Sequence, residues 1–244
     1  MAQEIANHET SGAASAGFVR LASICALLTV ATTLAVHWLP ELWSDVKTFE
    51  QRVQLRHNAL YMARLWVVLV HCVLVVVSMA PVPLLLRGTS RLVAIFGLGS
   101  YVMFSFVEML RTSFAIFTMN RAWRAGYEQT TDENLRAAFR TSLETFAGIN
   151  DALFFLFIVA FIAGLFCYGF ALLPGEGIDR RIAWLFLLWG LVSLPGVVGT
   201  ITGQPALGAP FAWVGFYFVP LARLLVGLWL WSVSGRLAPN HHVT

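Results

Sequence analysis

The chain has 244 residues, of which 58% are hydrophobic and 12% charged, with a mean hydropathy of +0.73 and a formal net charge of +3. A soluble domain carries about 25% charged residues, so water cannot solvate this surface and most of it must face lipid or other helices. The arginines are scattered, which excludes a nucleic-acid-binding face, and Lys47 is the one lysine, which leaves no buried amine for an intramembrane Schiff base.

In chain order, residues 1–17 are small and polar and read as a disordered tail. The apolar run Phe18–Leu39 lacks the basic leader and A-x-A site of a signal peptide, so it is expected to remain as a helix. Five more runs follow, at 61–86, 92–119, 149–173, 182–202 and 211–233. Each exceeds the roughly 20 residues that cross a hydrocarbon core, and in lipid the backbone must bond to itself. The expected fold is therefore all-α: a polytopic membrane protein whose six transmembrane helices occupy 18–236, with a tail over 237–244. Trp38, Trp43, Trp66, Trp123 and Trp213 fall near one set of span ends, and Trp184, Trp229 and Trp231 near the other, as aromatic belts do. Cys25, Cys72 and Cys167 lie within apolar runs and read as small core residues.

The short loops RGTSR and GIDRR, with Arg236, put arginine on one side. The positive-inside rule then places both termini in the cytoplasm of a bacterial inner membrane and leaves the neutral GQPALGAP loop outside. Two longer outer connections have helical spacing. In the first, Leu42, Val46, Phe49, Val53 and Leu60 recur on one face. In the second, Thr130 and Glu133 form a capping box ahead of the stripe Leu135, Phe139, Leu143 and Phe146. These predict two amphipathic outer helices, either surface-lying or extensions of spans 2 and 4. A lid is the functional alternative.

Polar residues inside the spans single out a site. Arg64 and His71 share a face of span 2, and Glu108 and Arg111, in FVEMLR, share a face of span 3. Asp151 opens span 4, and Arg223 lies roughly 18 Å into span 6 at 1.5 Å per residue. All fall in the outer half of the membrane. A charge near the bilayer centre costs about 3 kcal/mol even on the mildest scale, so these groups are expected to face one another or water. In one reading they are structural glue, with Glu108 on Arg223 or Arg111 and Asp151 on Arg64. In another, Arg64, Arg111 and Arg223 against Glu108 and Asp151 leave an outward-facing cavity positive, suited to an anion. A proton relay through Glu108 and His71 is the third. Pro195-Gly196 and Pro220 break spans 5 and 6 near the same level. Gly199 with Gly203 and Ala160 with Gly164 predict close helix packing.

His8, His241 and His242 lie in the tails and His37 and His57 at the interface, so no haem or metal set is expected, and no cofactor. No nucleophile, Walker or zinc motif is present. The stretch FVEMLR, together with FIAGLFCYGFALLPGEGIDRRIAWLFLLWG, resembles a family of small bacterial six-span membrane proteins known as a domain of unknown function. That resemblance implies an all-helical inner-membrane protein and carries no activity or site residues. The expected function is a binding or transport-type membrane protein with a positively biased cavity for a small anionic or lipid-like ligand. Its expected partners are membrane lipids, that ligand and other membrane proteins. The alternatives are an accessory subunit of a larger complex and a membrane enzyme acting on lipid.

Overall fold

In a computed structural model, residues 15–39, 46–202 and 213–238 are described. The readings of residues 1–14, Leu42, Trp43, GQPALGAP, Gly203, the start of the last run at Phe211 and the histidines of the tails fall outside them. The described residues are helical and contain no strand. Six helices are long and apolar enough to cross a membrane.

Helix α1 (Ala16–Trp38) starts on Ser15, whose hydroxyl accepts from the Phe18 amide. After a short helix α2 (Phe49–Gln54), α3 (Ala59–Met79) is capped by Asn58, which takes the free amides of Leu60 and Tyr61. Pro81 ends the second span in a single turn, α4 (Val82–Leu85). Gly88, at φ +55°, admits the reversal into α5 (Gly88–Ser113). That helix continues through π-type turns (Phe114–Trp123) into α6 (Arg124–Gln129). Helix α7 (Glu133–Leu172) runs 40 residues without a break, about 60 Å and so about twice a hydrocarbon core. A second glycine at positive φ, Gly177, precedes α8 (Ile178–Thr202). A π-type turn (Val214–Phe218) leads into α9 (Val219–Leu237) at Pro220, whose missing N–H leaves the regular ladder incomplete there.

The spans form a closed ring in chain order. α1 packs on α3, α3 on α5, α5 on α7, α7 on α8, α8 on α9, and α9 back on α1. Small residues set the close approaches, as helix association in lipid requires. A Cβ on Gly227 would sit 2.7 Å from Leu27, and Ser23 donates to the Gly227 carbonyl at 2.8 Å, joining the first and last spans. Gly97 and Gly164 admit the rings of Tyr168 and Tyr101, which stack with centroids 5.3 Å apart. The Tyr168 hydroxyl donates to the carbonyl of Met79, one of the orphaned acceptors at the end of α3. With Phe186, Leu165 and Met79 these rings fill the half of the ring nearest the short loops. The other half is not filled.

Of the two forms expected for the outer connections, the second connection takes that of an extension of span 4. In the first, the described residues are helical over Phe49–Gln54 and in a tighter turn over Leu55–His57, with the capping box at Thr48 and Gln51. Its Phe49 and Val53 bury against Leu143, Met119, Trp123 and Tyr127. The second is no separate helix: it is the start of α7, continuous with span 4. Its cap is Asp132, which accepts from Asn134 and Leu135, while the Thr130 hydroxyl takes the Asp132 amide. A carboxylate two residues nearer the helix displaces the expected Thr130–Glu133 box. On the exposed side of α7, the Glu144 carboxylate bonds Arg140 at 3.0 Å and raises its already high pKa. Trp229 is a second correction: it is buried, with its Nε1 donating to Asp179 at 2.7 Å, and so belongs to no belt.

Candidate functional site

The unfilled half of the ring holds two adjoining chambers. The larger, of about 610 Å³, lies under α2, between α3, the α5–α6 helix and α7. The deeper one, of about 320 Å³, is lined from all six long helices, including Thr33, His71, Glu108, Phe157, Trp189 and Arg223. Glu108, His37, Val36, Val68, Phe157 and Ile158 line both, so they form the boundary between them.

The upper chamber carries satisfied polar networks. Glu108 is 6% exposed and is held in bidentate fashion by Arg111 one turn away, with Nε to Oε2 at 2.8 Å and Nη2 to Oε1 at 2.6 Å. The remaining Arg111 amine donates to Asn150 Oδ1 at 3.3 Å, tying α5 to α7. Arg64 donates from Nε to the Val36 carbonyl at 3.0 Å, an orphaned acceptor of the last turn of α1. Arg124 is buried and donates to Asn120 at 2.7 Å and to the Tyr61 hydroxyl at 3.3 Å. The π-type turns place Asn120 to do this, its own amide group bonding the Ala115 carbonyl at 2.6 Å. Such turns cluster where a helix must present a side chain off its regular register.

The deep chamber differs. Arg223 is 2% exposed and sits with its guanidinium carbon 5.0 Å from the centre of the Trp189 ring. Its Nε and Nη1 have no hydrogen-bond acceptor. Among the described residues it forms no ion pair, since Glu108 is committed to Arg111. Trp189 Nε1 and Thr33 Oγ1, from two other helices on the same chamber, are also buried without a partner. Except for Glu108, the other side chains of that wall are apolar or neutral. His71 faces Thr32, with Nδ1 2.7 Å from the hydroxyl oxygen.

No family model, curated protein or solved structure matches this chain. The geometry of the site therefore carries the reading by itself.

Of the six residues singled out from sequence, five line the chambers: Arg64 and Arg111 the upper, His71 and Arg223 the deeper, and Glu108 both. Asp151 is exposed and lines neither; its neighbour Asn150 faces the chamber in its place. Residues not singled out complete the walls. Arg52, Arg124 and Glu144 bring the total to five arginines against two carboxylates. Trp189 had a legible signal, being a tryptophan in mid-span, away from either belt. Thr33 had none, because a threonine in an apolar helix usually bonds its own backbone, as its neighbours Thr29 and Thr32 do.

Proposed function

We propose that this chain is an integral membrane protein whose chambers bind a small anionic or lipid-like ligand. It lies in a bacterial inner membrane, with both termini cytoplasmic and the chambers opening to the opposite side. Six long apolar helices support the membrane reading, and Arg87, Arg91, Arg180, Arg181 and Arg236 beside the short loops support the orientation.

One observation carries the binding reading: Arg223 is buried in a chamber wall with no counter-charge among the described residues. An unpaired charge at that depth is costly, and an arginine that a fold needs only as glue has acceptors for its donors, as Arg111 has in Glu108 and Arg124 in Asn120 and Tyr61. An anion in the chamber supplies the missing partner and accepts from donors of three helices. Val36, Val68, Phe157 and Ile158 on the shared wall offer apolar contact to a body behind that charged end.

The test uses benzoate as probe, a monoanion with an apolar ring. In neutral detergent micelles it should raise the melting temperature of the wild-type protein in a saturable way, as a ligand of the native state does. The Arg223→Leu variant should show no such rise. An equal rise in both proteins, or none in either, contradicts the proposal.

A further inference from the structure

A second basic pocket lies outside the ring and shares no residue with the two chambers. It measures about 390 Å³ and is lined by Arg56, His57, Met62, Asn120, Arg121, Ala125 and Gln129. Its carboxylate neighbour does not line it and is engaged: Glu128 accepts from Gln54 at 2.8 Å and Arg56 Nε at 3.1 Å, with His57 Nε2 3.1 Å away. That contact fixes the Arg56 guanidinium and leaves its Nη1 buried without an acceptor. On the other wall Arg121 is folded toward the membrane level, 4.9 Å over the Phe117 ring.

Directly below, Phe117 and Trp66 meet edge to face at 6.2 Å and are 48% and 45% exposed. Met62 lines the pocket one turn before Trp66 on α3. Two arginines therefore stand above an exposed aromatic pair. Arginine matches phosphate geometry and charge, and a tryptophan with its ring exposed at a span end marks the headgroup level. We infer that this pocket binds the phosphate of an anionic phospholipid, held by Arg56 and Arg121, with its acyl chains lying along Phe117 and Trp66. The inference rests on the membrane reading above but not on the anion chamber.

The experiment offers the purified protein an equimolar mixture of phosphatidylglycerol and phosphatidylcholine and counts retained lipid by native mass spectrometry. The wild type should keep phosphatidylglycerol about tenfold over phosphatidylcholine: both carry the phosphodiester, and the choline cation of the second is opposed by the two arginines. The double variant Arg56→Gln/Arg121→Gln should retain the two lipids equally. Arg121→Gln alone alters an exposed side chain and should lower the preference by at least half, so the test does not depend on the folding of the double variant. Arg91→Gln, an exposed change beside a short loop that lines none of the three pockets, should keep the full preference, which ties the loss to this pocket. Equal retention by the wild type, or an unchanged preference in Arg121→Gln, overturns the inference. Displacement of the lipid by millimolar inorganic phosphate would make this a free-phosphate site and overturns the lipid assignment.

Discussion

Replacing Arg111 by alanine is expected to destabilise the protein by about 3–5 kcal/mol, because it leaves a buried carboxylate without its partner. Both oxygens of Glu108 bond to Arg111, and the side chain is nearly inaccessible. The same change also frees Asn150 and so loosens α5 from α7. Denaturant unfolding in mixed micelles measures the loss. Removing both charges together, as Glu108→Gln/Arg111→Met, should recover most of it, since a buried pair exchanged for neutral groups of similar volume is often neutral in stability. A cost below about 1 kcal/mol for Arg111→Ala, in the range of an exposed pair, would mean that water or another group compensates Glu108.

Arg223→Leu should do the opposite. Without ligand, the variant is expected to be more stable than the wild type by about 2–3 kcal/mol, the cost of a central charge on insertion scales. Leucine keeps apolar contact with Trp189, while no buried cation remains. Arg223→Lys keeps the charge but loses the planar face over the ring, and it should be no more stable than the wild type. A binding residue that destabilises its own fold is the usual signature of a site held ready for a ligand. If Arg223→Leu instead lowers stability by more than about 1 kcal/mol, the arginine is a structural element and the chamber is secondary.

The two variants divide the polar cluster into parts with different roles. Glu108 is hydrogen-bonded to Arg111, and Arg124 to Asn120 and Tyr61, and these two groups hold helices in register. Arg223, with Trp189 and Thr33, is not satisfied in the same way. Glu108 lines both chambers, so its negative charge stands on the boundary between the two parts.

Much of this was legible from residues alone, for identifiable reasons. The six helices were legible because each apolar run is about 20 residues or longer, the length of a membrane-crossing helix and about twice that of a barrel strand. The helix ends were less legible. Spans 3 and 4 run past the apolar stretch because the π-type turns and Asp132 keep their backbones helical in the polar region. Counting depth brought Glu108 and Arg223 to one level, and they do line one chamber. Depth says nothing about direction around a helix, and successive residues differ by about 100°. That angle separates Asn150, on the chamber, from the exposed Asp151. Arg124 was hidden because it falls in a charged connection, where a buried cation is not expected. Trp229 was hidden because a tryptophan near a span end is ordinarily at the lipid surface, and its hydrogen bond to Asp179 has no signature in the sequence.

The central claim, that an anion reaches Arg223, has an internal reporter in Trp189, 5.0 Å away. Iodide quenching of tryptophan fluorescence, taken as the difference between the wild type and Trp189→Phe, isolates that ring from the other tryptophans. The account predicts that this difference is quenched in a saturable way, that chloride competes, and that Arg223→Leu abolishes the saturable part. Quenching that rises in simple proportion to iodide and is the same in Arg223→Leu would contradict it.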